Sequence, residues 1–548
     1  MTPRARSALA ALLVLVGCSD GGTDPVDTAS DTEPGEVVYL SDYRLQVAVE
    51  VLEGQVPLEG DPDISLWLQP PGEPHTLHPV TPGRPTEGLP PLPAGTTVGL
   101  LVESGGDPDV YEPDRVVAFG QTVLDEALEL GGQERTASMF LPLVADVGVL
   151  SRFGGDDQRA AAGVALLDDG RVYVFGGTPA DRLNGGIKPA ATRSVYRLSI
   201  ADPDEREVDL LSLVLPEVEL ANRTSDDKRV SLTATSYTAS DGSQRILVAG
   251  GRSEYVSLDV GTSSALVFDP ATESFEADLQ MPEARSEHYA LPLADGRIFL
   301  DGGFIDDATF TTSATIFDPD GNRFTSIELG NEVGGWARAG ASLGTEGVLV
   351  CGGAKPPLFS PQTSDWPIVD GCVRVTLDER VVPAAPLPEP LAGHVLTPLA
   401  DGRVLCTGGN TGELEASDVP PDAVRSAYVY DVGRDSWEQI DNLAGPRAGH
   451  AVVPLPNGDA VVVGGVSGVA IGHNGLTGTP PACAERFLAD EDGFETLLDC
   501  ANVGIGSPAT VAAHPSHGAV VFGGLHLAPD GAESAEAIGL VGLGPASP

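Results

Sequence analysis

Hydrophobic and polar residues alternate through most of this chain in short runs, punctuated by glycine, proline and aspartate. The stretch from Pro446 to Gly465 shows the unit in full. An alternating run ending in His450-Ala451-Val452-Val453 reaches a turn at Gly458, and a β-branched run, Ala460 to Val463, stops at Gly464-Gly465. Two apolar runs joined by a tight turn predict a β-hairpin. The same phrase is written seven times, with Gly-Gly pairs beginning at 176, 250, 302, 352, 408, 464 and 523. Its turns include Asp169-Gly170-Arg171, Asp295-Gly296-Arg297 and Asp401-Gly402-Arg403. Asp-Gly suits such a turn because both residues tolerate positive φ. A third strand then ends in an aromatic, and a second aromatic follows across a short turn: Phe268/Phe275, Phe317/Phe324, Tyr430/Trp437 and Phe487/Phe494.

A repeat of roughly 50 residues is the spacing of propeller blades. The expectation is an all-β chain with a seven-bladed propeller over residues 138–548. Six blades are the alternative, because the first and fourth repeats lack the aromatic pair. The ends suggest how the ring closes. After the last Gly-Gly only one strand remains, around Ala535 to Leu543, and a spare strand, Phe140 to Leu150, precedes the first hairpin. Supplying the missing outer strand from the N-terminal side would complete the last blade and hide an edge. Residues 36–135 alternate without the repeat, in Leu45 to Val51, Ile64 to Leu68, Thr97 to Val102 and Arg115 to Phe119, between proline-rich turns. They predict a small β-sandwich, and Leu92 to Val98 is similar to segments of immunoglobulin-like or transthyretin-like modules.

The combination of an Arg- or His-led inner strand, an Asp-Gly turn, a hydrophobic run, Gly-Gly and spaced aromatics resembles the kelch repeat, over about three quarters of the chain. At the other end, Arg4 and Arg6 precede an apolar run, Ala8 to Val16, that is too short to span a bilayer. Leu15-Val16-Gly17-Cys18 resembles a bacterial lipobox. The resemblance implies a signal peptide over 1–18, lipidation at Cys18 and, with Ser19 following, an outer-membrane destination; an ordinary secretory signal is the alternative. The polar stretch 19–35 reads as a disordered tether.

Charge narrows the partners. Thirty-one basic against 80 acidic residues leave a formal net charge of -49, which excludes a nucleic-acid-binding surface. Cys351 and Cys372 fall on neighbouring predicted strands, as do Cys483 and Cys500, so an oxidising compartment would permit two disulfides and leave Cys406 as a buried thiol. The other reading makes all five small buried hydrophobes. No clustered Cys/His spacing calls for zinc, and no cofactor is expected.

Candidate chemistry lies at the start of the inner strands, near the channel mouth. His288, His394 and His450 stand at one common distance before their glycine pairs, and Arg159, Arg285 and Arg447 stand three residues earlier. Trp336 and Arg338 occupy this region of the fourth repeat. Such a ring could bind a carboxylate or phosphate, or it could join blades through hydrogen bonds, as the kelch resemblance implies. The long loops between second and third strands, Thr178 to Arg193, Ala354 to Asp370, Asn410 to Val424 and Val466 to Pro481, lie on the same face and mark it as the binding surface. Kelch-like propellers also form the centre of galactose oxidase-type copper enzymes, but Tyr289 is the one tyrosine beside a mouth histidine, and alternation turns it away from His288. The expectation is therefore a noncatalytic scaffold for a protein or glycan at the cell envelope. A carbohydrate-active or galactose oxidase-like enzyme using the channel mouth is the alternative.

Overall fold

The computed structural model describes residues 37–40, 45–50, 63–80, 89, 91–103, 116–124, 126–128, 135–140, 147–152, 161–177, 192–200, 209–216, 219–220, 223–224, 229–252, 261–306, 309–355, 366–411, 413–414, 423–455, 458–465, 467–472, 475–479, 484–498, 510–514, 518–522, 525–528, 531–534 and 537–542. Cys18, Arg159, Cys483 and Cys500 fall outside them.

The protein is an all-β propeller. Among the described residues, seven four-stranded antiparallel sheets follow the repeat, and they are called blades 1 to 7 below. In blade 1 the strands are Gly163–Leu166, Arg171–Phe175, Ser194–Ser199 and Asp209–Val214, each bonded to the next in sequence. Blades 2 to 6 open at Thr233, Tyr289, Ala339, Val395 and Ala451. In blade 7 the strands Thr510–His514, Gly518–Phe522 and Ala537–Gly542 receive a fourth, Val147–Arg152, from the other end of the repeat region. The ring is closed by that strand, which starts at Val147 rather than at Phe140.

Apolar clusters lie between consecutive blades. One joins Tyr173, Phe175 and Val195 of blade 1 to Ile246, Val248 and Phe268 of blade 2. Another packs Val520 of blade 7 against Val172, Val174 and Tyr196 of blade 1. Each aromatic pair sits directly across the third and fourth strands, with ring centroids 4.9–5.5 Å apart, and so thickens the outer half of a blade. Blade 4 fills that place with Val375 opposite Val381.

The segment before the repeat forms two sheets. Asp63–Gln69, Thr76–Pro79, Thr97–Glu103 and Val116–Val123 make an antiparallel four-stranded one. Val37–Leu40, Leu45–Glu50 and Arg135–Phe140 make the other. Arg135–Phe140 runs parallel to Leu45–Glu50, so pairing in this segment extends past the expected boundary at 135.

The Gly-Gly pairs have a specific cause. Both glycines hold positive φ, for example 67° and 89° at Gly352 and Gly353. A Cβ on the first would collide with a carbonyl oxygen on the approach to the next blade's first strand: that of Arg229 at Gly176, Arg285 at Gly250, Leu391 at Gly352 and Arg447 at Gly408. The N–H of the second glycine donates to the same oxygen, at 2.8 Å in all four cases. One carbonyl thereby docks into each of these four glycine pairs and sets the distance between blades.

Nearer the axis, the residue before each inner strand's first mouth position is left-handed: Ala161, Ser231, Glu287, Ala337, Gly393 and Gly449 have φ between 52° and 68°. Ser231 N–H donates to Ala161, Glu287 to Ser231, Gly393 to Ala337 and Gly449 to Gly393, at 2.7–3.0 Å. These bonds tie neighbouring blades head to tail at the hub.

The two kinds of glycine should respond differently to alanine. Gly393→Ala adds only the left-handed penalty of about 1 kcal/mol, because its new Cβ would meet nothing closer than 3.6 Å. Gly408→Ala drives a methyl into the Arg447 carbonyl and should cost at least about twice as much. Urea unfolding of both variants measures the difference; equal losses would refute the docking role of the Gly-Gly carbonyl.

Candidate functional site

The mouth residues reach their places because the chain bends into each inner strand at the left-handed hub position. Arg285, His288, Arg338, His394, Arg447 and His450 are all buried. Arg285, the last residue of the fourth strand of blade 2 (Ser274–Arg285), sends its guanidinium into blade 3, donating to the Gly302 carbonyl at 3.1 Å, to Thr311 Oγ1 at 2.9 Å and to Thr315 Oγ1 at 2.9 Å. Arg447 repeats the arrangement, donating to the Gly464 carbonyl at 2.9 Å and to Glu485, which stands where Thr315 does in blade 3. Arg447 and Glu485 form a fully buried ion pair, and the second Glu485 carboxylate oxygen accepts the Ala444 N–H at 2.7 Å. Burial pulls the pKa values of Arg285 and Arg447 down, and neighbouring carboxylates oppose the shift.

The histidines face the preceding blade. His450 Nε2 shares a 2.8 Å hydrogen bond with Thr407 Oγ1, and His288 Nε2 shares one of 2.9 Å with Thr233 Oγ1. Each ring lays its Cε1 edge over the first glycine of the preceding pair. His394 takes the same station beneath Gly352, yet neither of its ring nitrogens has a hydrogen-bond partner among the described residues. Burial depresses all three: His288, also beside the Arg285 charge, to about 3, His394 to about 4, and His450, beside Arg447 and His394, well below the ordinary value. They are neutral imidazoles at neutral pH.

Blade 4 carries Arg338 in place of the histidine. Its guanidinium grips Asp301 of blade 3, with Nε donating at 2.8 Å to Oδ2 and Nη2 to Oδ1. Tyr289 Oη donates to the same carboxylate at 2.6 Å. Burial alone would raise the Asp301 pKa, but the Arg338 charge and these hydrogen bonds hold it below the ordinary value. Tyr289 lies toward blade 4, where a Cβ on Gly340 would strike its ring, while His288 turns toward blade 2.

These side chains therefore sit in separate joints rather than around one ligand. The missed participants are instructive. Arg229 is the blade 2 counterpart of Arg285, donating to Ser264 Oγ at 2.8 Å; the longer blade 2 hairpin, Thr233–Thr238 against Gln244–Ala249, shifts it from the common count. The Asp-Gly-Arg turns do more than reverse the chain. Arg171, Arg297 and Arg403 each reach the next blade's outer turn, at Pro270 (3.1 Å), Glu379 (2.7 Å) and Asp492 (2.8 Å). A second charged residue after a tight turn was the available signal.

Cys351 and Cys372 are joined in a disulfide across adjacent strands of blade 4, and Cys406 is a free buried thiol. The long-loop face is partly built as ribbon: Phe304–Asp306 pairs with Thr309–Phe310, and Ser467–Gly472 with Gly475–Thr479. Trp366–Pro367 from the blade 4 loop pairs with Glu413–Leu414 from the blade 5 loop. On this face Phe304, Phe310 and Trp336 form an aromatic cluster with centroids 5.0–6.3 Å apart. Phe304 and Trp336 are partly exposed. The Arg252–Glu287 ion pair, at 2.5 Å, stands at the neighbouring joint.

No family profile and no curated protein matches the chain. Among solved structures, a fungal alcohol oxidase of the AA5 family, determined with copper, is similar over 71% of this chain and 74% of its own, with 17% identity and a TM-score of 0.50. YjhT is similar over 63% of this chain and 98% of its own, with 13% identity and a TM-score of 0.40. The likeness to the alcohol oxidase, at 17% identity, shows the fold and nothing of the chemistry. The mouth residues do not fit a copper centre: His288, His394 and His450 each close on a different neighbouring blade, Tyr289 is held by Asp301, and no group of three His, Cys, Asp or Glu among the described residues could hold a metal.

Two outcomes follow. Removing charge from the carboxylate in Glu485→Gln leaves Arg447 buried and under-compensated, which should cost about 3–5 kcal/mol in urea unfolding. The pH dependence has a definite sign. Histidines depressed in the folded state bind protons more tightly when unfolded, so their stability is present above about 6.5 and lost as pH falls. At pH 5 each costs about 2 kcal/mol. His394→Leu should therefore lose about 2 kcal/mol less than the parent between pH 7 and pH 5; parallel profiles would refute a neutral buried His394.

Proposed function

We propose that this chain is an exported, lipid-anchored envelope protein whose kelch-like propeller binds a glycan on its long-loop face without catalysing a reaction. The observation that carries the reading is the Phe304/Phe310/Trp336 cluster, with Phe304 and Trp336 partly exposed, beside the Arg252–Glu287 pair. Flat aromatic faces stack on the apolar faces of sugar rings, and a guanidinium and carboxylate alongside satisfy hydroxyl groups. Long loops on a rigid ring supply the remaining contacts and the specificity. The acidity of the chain fits a neutral or cationic ligand better than a polyanion.

A galactose oxidase-like activity is the weaker reading, because the buried histidines and arginines already serve the joints between blades. Cys18 as the lipidated residue, an outer-membrane location, and a seven-bladed ring following a separate N-terminal β-domain belong to this proposal.

Titration of the full chain against envelope oligosaccharides, read by tryptophan fluorescence and calorimetry, tests it. Trp336→Ala should weaken binding tenfold or more, ~1.4 kcal/mol; because Trp336 also packs on the Ala354/Ile368/Ala392 cluster, the comparison is made at a temperature where the variant is fully folded. Undiminished binding in that variant, capture of a protein instead of any glycan, or stoichiometric copper with alcohol oxidation would overturn it.

A further inference from the structure

The joint between blades 4 and 5 breaks the rule followed by the other two joints that carry a histidine. In the joints below His288 and His450, a threonine hydroxyl meets Nε2. Thr407 directly precedes its glycine pair, and Thr233 lies opposite the equivalent residue, Ala249, in the strand register. Beneath His394 the corresponding residues are Cys351, before Gly352, and its cross-strand partner Ala339. Neither offers a hydroxyl. Of these two residues Cys351 alone carries a side-chain group able to hydrogen-bond, its sulfur, and that is tied to Cys372. Cys351 and Cys372 both pack in the cluster shared with Leu387, Leu391 and Leu396 of blade 5, on the side where His394 lies. His394 is 4% exposed, and both of its nitrogens lack a hydrogen-bond partner among the described residues.

We infer that the Cys351–Cys372 bridge is a redox switch on this joint: reduction frees the Cys351 thiol to donate a hydrogen bond to His394 Nε2, giving the blade 4–5 joint the contact that a threonine makes in the blade 5–6 joint. The step is a dithiol exchange. A dithiol reductant breaks the S–S bond, two electrons and two protons pass to Cys351 and Cys372, and the reductant leaves as its cyclic disulfide. Oxidation removes the donor again and leaves a buried imidazole under-satisfied, so the two redox states differ in how firmly blade 5 seats on blade 4.

The test uses the full chain labelled at histidine Cε1 and treated with dithiothreitol, with thiol release counted by a chromogenic disulfide. His394→Asn assigns the His394 resonance. On reduction that resonance should shift while those of His288 and His450 stay, and Cys351→Thr/Cys372→Ala should show a comparable shift without reductant. That variant should also have a folding equilibrium constant about fivefold above Cys351→Ala/Cys372→Ala, the worth of one hydrogen bond. An unmoved His394 resonance after both thiols are released would overturn the inference. So would the same shift and the same stability in Cys351→Ala/Cys372→Ala, which lacks any donor.

Discussion

A single carbonyl oxygen lodged against two glycines is the contact on which this ring depends. It recurs at Gly176, Gly250, Gly352 and Gly408, each time with the oxygen of the residue that begins the next blade's approach. Because the contact is backbone to backbone, it is indifferent to the side chain that carries the oxygen: arginine does so at three joints and Leu391 at the fourth. The side chain at that position is thereby released for a second task. In Arg285 and Arg447 it reaches across the blade that follows and bonds to that blade's third strand. Strand spacing, blade spacing and the burial of a full charge are thus consequences of one geometric choice.

Buried polar chemistry then differs from joint to joint on a common frame. Histidine meets threonine at two joints, arginine meets aspartate and tyrosine at a third, and a disulfide replaces the hydroxyl at a fourth. At the three histidine joints the imidazole edge lies over the first glycine of the preceding pair. Such variety among repeats discourages blades from exchanging places, since a histidine would find no partner opposite the wrong neighbour.

Much of the fold was legible because it rests on local signals. Period-two alternation, Asp-Gly turns and aromatics placed to face each other across a hairpin are all resolved within some twenty residues. The closing strand was legible from counting, since one blade lacked an outer strand and a spare one preceded the repeat. The site was harder. A polar side chain at the head of an inner strand can point into the channel or into a joint, and spacing alone is the same for both. Burial decides, and it depends on the neighbouring blade. Asp301 shows the difficulty: it sits where other blades place Ala249, Cys351 or Thr407, and nothing nearby in sequence announces that Arg338 will neutralise it. Phe304 and Phe310 look like ordinary strand residues until the loop ribbon folds them against Trp336.

The strand Val147–Arg152 has a consequence for the order of synthesis. It emerges from the ribosome before any blade, yet its partner, Ala537–Gly542, follows roughly four hundred residues later. Throughout translation it is an open edge beside a growing row of hairpins, each of which can form from its own local contacts. Ring closure therefore has to wait for the two ends of the repeat region to meet, and an incomplete ring would present two unpaired faces, which the strong negative charge of the chain helps to keep from other copies.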